Sequence, residues 1–279
     1  MVPIVIRIQR YYYYYLGALF PRFSKYLFWK TFTTVSRRKF KPHHLQYLEK
    51  ASRHDLVFKG FKIARYKFGH GEKRILIVHG QNGLAVDFRS AIDALVEKGF
   101  AVEAIDLPGH GHSSGNTNNM LLSSELVRHL HTQNKYYAIL GHSLGASAAF
   151  YCFGHAKYTL PVLPKLVLMG MHDKTEDFFI EYKNLLQIPS SIYEYSVREI
   201  EKSMGFNLKE DMNAHHFIPL AGVDQVLIVH DEQDTIADLD GMKLLASNWS
   251  CAVLFTGDHG GHYHHYKHPM VIEKLLHWL

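Results

Sequence analysis

Ten residues, Tyr136-Tyr137-Ala138-Ile139-Leu140-Gly141-His142-Ser143-Leu144-Gly145, constrain this chain more than any others. They read as an apolar strand running directly into G-x-S-x-G, with small residues (Ala146, Ser147, Ala148, Ala149) opening a helix behind it. A strand that passes into a helix so abruptly needs a sharp turn, and the turn lifts the serine hydroxyl above the edge of a sheet. A side chain at position 141 or 145 would collide with neighbouring backbone, so both positions call for glycine. The helix begins at the serine, and its unpaired N–H groups and positive end face whatever reacts there. Ser143 is the candidate nucleophile.

A serine hydroxyl needs help to attack. Ile75-Leu76-Ile77-Val78 is a short buried-type strand ending in His79-Gly80-Gln81-Asn82-Gly83, a loop that can turn a backbone N–H toward the site. The N–H groups of Gln81 and Leu144 are the expected oxyanion donors; losing one such donor typically costs about 3–4 kcal/mol of barrier lowering. Another apolar strand, Val226 to His230, is followed by Asp231, Glu232 and Asp234. Asp234 is the expected acid, because its loop can swing back over the sheet, whereas Asp231 lies close enough to the strand end to cap the turn. Asp173, after the strand Leu166 to Gly170, is the alternative acid. The base must come from Asp258-His259-Gly260-Gly261-His262-Tyr263-His264-His265. Gly261 gives the backbone freedom to present His262 from a loop, and Pro269 starts a terminal helix seven residues further on. His262 is the expected base and His259 the alternative.

In sequence order, His79-Gly80, Asp106-Leu107-Pro108-Gly109-His110-Gly111-His112-Ser113, Gly141 to Gly145, the Asp234 loop and Gly261-His262 resemble the landmarks of the α/β-hydrolases over roughly residues 55–279. The resemblance implies Ser143 as nucleophile, His262 as base and Asp234 as acid, with Asp106 to Ser113 a structural turn. One departure is Ala146, where many relatives carry a second glycine after the elbow.

The alternation of apolar strands with helical patterns at Val86 to Lys98 and Met120 to Gln133 predicts an α/β fold: a mostly parallel sheet with helices on both faces. Leu56 to Phe68 reads as a leading hairpin. Residues 171–222 are too long for a plain loop; apolar residues recur at helical spacing from Phe178 to Leu186 and again from Ile192 to Met204, so this insert is expected to form a helical cap above Ser143. Cys152 and Cys251 are expected to be free buried thiols, without a disulfide framework. Arg7 and Arg10 interrupt the early apolar stretch, no small-residue cleavage pattern follows, and no apolar run is long enough to span a bilayer. The expected location is cytoplasmic, with any membrane contact peripheral.

Residues 1–54 form a basic, aromatic N-terminal arm preceding the hydrolase-like domain at 55–279. Residues 1–48 hold nine of the chain's 31 basic residues and no acid, so the remainder carries 22 basic against 26 acidic residues. Leu16, Leu19, Phe20, Phe23, Leu27 and Phe28 are interleaved with those charges. Two expectations stand side by side: a helix packed on the domain with its cations in water, or a segment lying in an anionic membrane interface.

These features predict a serine hydrolase that cleaves a small, lipophilic ester through an acyl-enzyme, with no cofactor, no metal and no nucleic-acid partner. A lipase of monoacylglycerols or lysophospholipids, and a non-catalytic ligand-binding protein of the same fold, are the alternatives. A metal hydrolase built on His259, His262, His264, His265 and His268 is a weaker reading, because those histidines lack a complete ligand set at recognisable spacing.

Overall fold

Strands β3 (Arg74–Val78), β5 (Ala138–His142), β6 (Lys165–Met169) and β7 (Val226–Asp231) are short runs of Val, Ile, Leu and Ala, buried along nearly their whole length. Such runs belong inside a parallel sheet covered on both faces, and each large apolar side chain fully buried there contributes about 1.5–3 kcal/mol. The computed structural model, which describes residues 4–154, 163–217, 223 and 225–279, joins them with β1 (Ser52–Phe58), β2 (Phe61–Phe68), β4 (Ala101–Ile105) and β8 (Ala252–Gly257) into one eight-stranded sheet. Its order is β1-β2-β4-β3-β5-β6-β7-β8. β1 and β2 form the antiparallel hairpin expected from Leu56 to Phe68, β2 also pairs antiparallel with β4, and all the other pairings are parallel. The chain builds β4 outside β3 and then crosses back to β5, so the topological switch lies between β3 and β5, where open α/β sheets bind ligands. The register aligns Val78 with Gly141, Gly141 with Leu168, and Met169 with Val229. The loops after β3, β5, β6 and β7 therefore leave the sheet at one edge.

The chain divides into two compact units, and the break in the N-terminal region falls after Thr34. The larger unit, residues 35–173 and 217–279, holds the sheet with α3 (Pro42–Leu48), α4 (Arg89–Glu97), α5 (Met120–Asn134), α6 (Leu144–Gly154), α11 (Leu239–Asn248) and α12 (Pro269–Trp278). α5 starts where the Asn119 side chain accepts the Leu122 N–H (2.9 Å), a side-chain N-cap. Pro269 occupies the first turn of α12 as expected, since its missing N–H costs nothing there. The pattern from Val86 to Lys98 resolves into a short 3-10 turn, Ala85–Phe88, and then α4.

The smaller unit takes in residues up to 34 and 174–216, and its described residues are mainly helical. It comprises α1 (Ile4–Tyr15), α2 (Pro21–Thr33), α7 (Thr175–Leu186), α8 (Ser190–Met204) and the single turns α9 (Leu208–Asp211) and α10 (Ala214–Phe217). The insert is thus helical where described; its expected end, 218–222, lies outside the described residues. Phe28 of α2 is fully buried, with ring centroids 5.9 Å from Phe179 and 6.0 Å from Tyr193. Gln9 of α1 donates to Thr31 of α2 (3.1 Å), and Arg10 donates to the Leu185 carbonyl. Two helices from the N terminus and two from the insert therefore share one aromatic core. No helix among the described residues is long and apolar enough to cross a membrane. Cys152 is a free thiol buried in α6, and Cys251 lies half-buried just before β8, its Sγ–H donating to the Val223 carbonyl (3.1 Å).

Candidate active site

Ser143 sits between β5 and α6 with φ +51°, a left-handed conformation uncommon for a residue with a side chain. The close approach that demands glycine on either side is direct: a methyl group at 141 would overlap the Gly145 carbonyl, and one at 145 would overlap the Val78 carbonyl. Strain held at such a turn marks a position over-determined by its surroundings. The Ser143 N–H donates to the Met169 carbonyl (2.8 Å) and its side chain is buried. Strand β6 therefore clamps the turn made by β5.

The residue after Met169 carries the serine's surroundings to the histidine loop. A methyl group on Gly170 would lie 3.3 Å from His262 Nδ1 and Cε1, so the imidazole edge packs against bare backbone. The residue before the serine makes a second tie, because His142 Nε2–H donates to the His262 carbonyl (2.8 Å). Burial, with His265 and His262 nearby, drives the His142 pKa well down and keeps the ring neutral.

His262 Nδ1 lies 2.7 Å from Asp234 Oδ2, and both side chains are almost wholly buried. Asp234 Oδ1 accepts the N–H groups of Ile236 (2.8 Å) and Ala237 (2.9 Å). Burial alone would raise this carboxyl's pKa, but the His262 N–H and the two backbone donors outweigh it and hold the pKa well below the usual range. Asp234 is thus a fixed anion, and an N–H at Nδ1 directed to it leaves Nε2 as the acceptor nitrogen of the His262 ring.

The competing residues are placed elsewhere. Asp231 accepts the Gln233 N–H (2.7 Å) and the His259 N–H (2.5 Å), capping its turn and fastening the histidine loop. His259 stacks on Phe255 at 5.1 Å, and its backbone, not its ring, meets an acid. Asp173 packs against Gly241 in α11. Among the described residues no group of three or more His, Cys, Asp or Glu is arranged to hold a metal ion.

Loop 79–83 lies beside the serine: a methyl group on Gly80 would sit 3.0 Å from Ser143 Cβ. Two histidines of the landmark motifs, to which the sequence assigned no role of their own, shape this loop. His79 Nε2 accepts the Leu107 N–H (3.0 Å) while its Nδ1–H donates to the Gly80 carbonyl (2.7 Å). His110 Nε2 accepts the Asn82 N–H (3.0 Å) while its Nδ1–H donates to the Pro108 carbonyl (2.9 Å). Each ring needs one acceptor and one donor nitrogen, so each must be neutral. Burial enforces this by lowering the pKa to about 4 for His79 and about 3 for His110. The sequence signal was the placing of His79 beside Gly80 at the end of β3 and of His110 between Gly109 and Gly111. The Asn82 N–H is thus spoken for, and the Gly83 N–H bonds to Gly80 O (3.0 Å). Asp106 fixes the other side of the loop, accepting the N–H groups of Ala85 and His112 and the Tyr66 hydroxyl, each at 2.9 Å. It is structural, as its motif implied. A cavity of about 280 Å³ opens along loop 79–83, lined also by Arg38, Phe88, His142, Tyr263 and Tyr266. Arg38 at its rim is paired with Asp87.

Residues 69–171, which carry loop 79–83, the Asp106 turn and the Ser143 elbow, match the family described as serine aminopeptidase, S33. No curated protein sequence matches the chain. Solved structures with a similar fold include an esterase of Pyrococcus furiosus, with a TM-score of 0.63 and 15% identity over 88% of this chain and 97% of the esterase. The thioesterase domain from the curacin biosynthetic pathway follows at 0.58 and 15%, covering 81% of this chain and 98% of that domain. A membrane phospholipase A matches at 0.57 and 13%, over 98% of this chain and 96% of its own. With its strand order, its strained serine turn and these neighbours, the chain is an α/β-hydrolase-fold protein.

Proposed function

We propose that the protein hydrolyses carboxylic esters through a covalent acyl-enzyme on Ser143. The observation that carries this reading is the buried His262–Asp234 pair, placed by Gly170 and His142 against the turn that holds the serine. In the first half-reaction His262 Nε2 takes the proton as Ser143 Oγ attacks the ester carbonyl. The N–H groups of Gln81 and Leu144 receive the oxyanion. His262 then returns the proton to the departing alcohol, and the same steps with water free the acid and restore Ser143. Asp234 remains ionised throughout, holding the tautomer and stabilising the imidazolium.

A lipid ester is the favoured substrate class. The likeness to the membrane phospholipase A extends over 98% of the chain and so takes in most of α1 and α2, whereas the likeness to the Pyrococcus esterase covers 88%. Fluorophosphonate treatment tests the chemistry directly. Mass spectrometry is expected to find one adduct, on Ser143, with loss of ester turnover. Absence of labelling, together with unaltered ligand binding by Ser143→Ala, would make the protein a binder that keeps the fold without the reaction. A panel of esters of graded chain length, run beside aminoacyl anilides, separates lipid-ester from peptidase activity.

A further inference from the structure

α1 is amphipathic in an unusual sense, because both of its long faces are apolar or aromatic. One face carries Ile6, Gln9 and Tyr13 into the helical unit, where Tyr13 is fully buried and Gln9 bonds to Thr31. The opposite face, Ile4, Ile8, Tyr11 and Tyr15, follows the same helical spacing and is more than 60% exposed at every position. The exposure continues through the turn at Leu16, Leu19 and Phe20 and into Phe23 and Tyr26 of α2. An apolar stripe of this length left in water is a docking surface.

The charges bordering it identify the occupant. Arg7, Arg10, Arg22, Lys25 and Lys30 belong to α1 and α2, which carry no acid; the acids of this unit lie on α7, α8 and α9. Arg37 and Arg38 belong instead to the sheet unit, where Arg37 bonds to the carbonyls of Gly111, Ser113 and Gly115 and Arg38 pairs with Asp87. Beside the stripe, Arg7, Arg10, Tyr11, Tyr14, Tyr15 and Gln187 line a concavity of about 370 Å³; Arg10 is bonded to the Leu185 carbonyl, and the Arg7 guanidinium and the phenol donors suit a phosphate oxygen. A second copy of this chain fits poorly, because a two-fold contact would set these cations against themselves. At 12 residues, α1 spans only about 18 Å, too short to cross a bilayer but suited to lie in its plane. We propose that the outer face of α1 and the α1–α2 turn dock on an anionic phospholipid surface, with the Arg7–Arg10 concavity receiving a headgroup phosphate. The inference is independent of the ester chemistry.

Co-sedimentation of the full chain with vesicles of phosphatidylcholine, alone or mixed with phosphatidylglycerol, tests it. Binding is expected to the mixed vesicles only and to fall as salt rises. Arg7→Gln and Arg22→Gln are each expected to weaken it about fivefold, and Ile8→Glu with Tyr11→Glu by more than tenfold, at unchanged melting temperature and unchanged turnover of a short soluble ester. Equal binding to both vesicle types, or binding indifferent to salt in the unaltered protein, overturns the proposal without recourse to any variant. So does a dimer in solution that Ile8→Glu with Tyr11→Glu dissociates while the wild type ignores vesicles.

Discussion

The two units of this chain treat their misfit residues in opposite ways. The sheet unit buries polar groups: the side chains of Asp106, His79, His110, His142, Asp231 and Asp234 are nearly or wholly inaccessible, and each finds hydrogen-bond partners. The helical unit buries Gln9 and Ser24 against partners but, among its described residues, no charged group, and it leaves Ile4, Ile8, Tyr14 and Leu19 in water. A buried polar group is costly unless paired, so it is retained where fixed geometry matters. An exposed apolar group costs little in the folded protein but is available to a partner. The difference suits the two proposals, ester chemistry in the sheet unit and surface docking in the helical unit.

The largest test of this contrast falls on the site. Ser143→Ala and His262→Ala are each expected to lower ester turnover by at least a thousandfold, whereas His259→Ala keeps most of it, as steady-state rates on a soluble ester would register. Equal losses for both histidines would mean that the buried network as a whole, not one base, sets the rate. Asp234→Asn is expected to cost about 10⁴ in kcat through loss of tautomer control. Asp231→Asn should act mainly on stability, by about 1–3 kcal/mol for a backbone donor left unpaired, visible in a urea melt.

Core truncation sharpens the comparison from the other side. Phe28→Ala in α2 is expected to cost about 3–5 kcal/mol, because its ring is fully buried among Phe179, Tyr182 and Tyr193. If the melting temperature did not move, the helices of the smaller unit would not share a core.

Acid should strike the sheet unit selectively. His79 and His265 are held near pKa 4 and His110 near 3 by burial, all below the ordinary value of about 6.5. Between those limits the unfolded chain binds protons that the native histidines refuse, so stability falls as pH drops from about 6.5 toward 4. Each such histidine adds a slope of up to about 1.4 kcal/mol per pH unit, which melts across that window would record; a flat profile would mean that these rings are charged in the native state. The smallest effect belongs to the outer face of α1, where Tyr14→Ser should change stability by no more than about 0.5 kcal/mol.

Read alone, the sequence already determined whatever depends on neighbours along the chain. The glycine at 141 follows from a hard-sphere contact with Gly145 four residues on, and the strands β3, β5, β6 and β7 follow from short apolar runs. Pro269 set the start of α12 for an equally local reason. Choices between chemically identical residues were different. Asp231, Asp234 and Asp173, like His259 and His262, differ in sequence only by position, and loop flexibility ranked them by plausibility alone. The pairing of Asp234 with His262 spans 28 residues and depends on how β7 and β8 align. The role of His110 in shaping the loop around Gln81 likewise spans 28 residues, from Asn82. The N-terminal arm was decided last of all. Composition marked it as basic and aromatic, but only tertiary contacts could place Tyr13 inside and Tyr11 outside, and assign Arg37 and Arg38 to the sheet unit. Consecutive tyrosines have the same propensity, and burial distinguishes them only once another helix has taken one side.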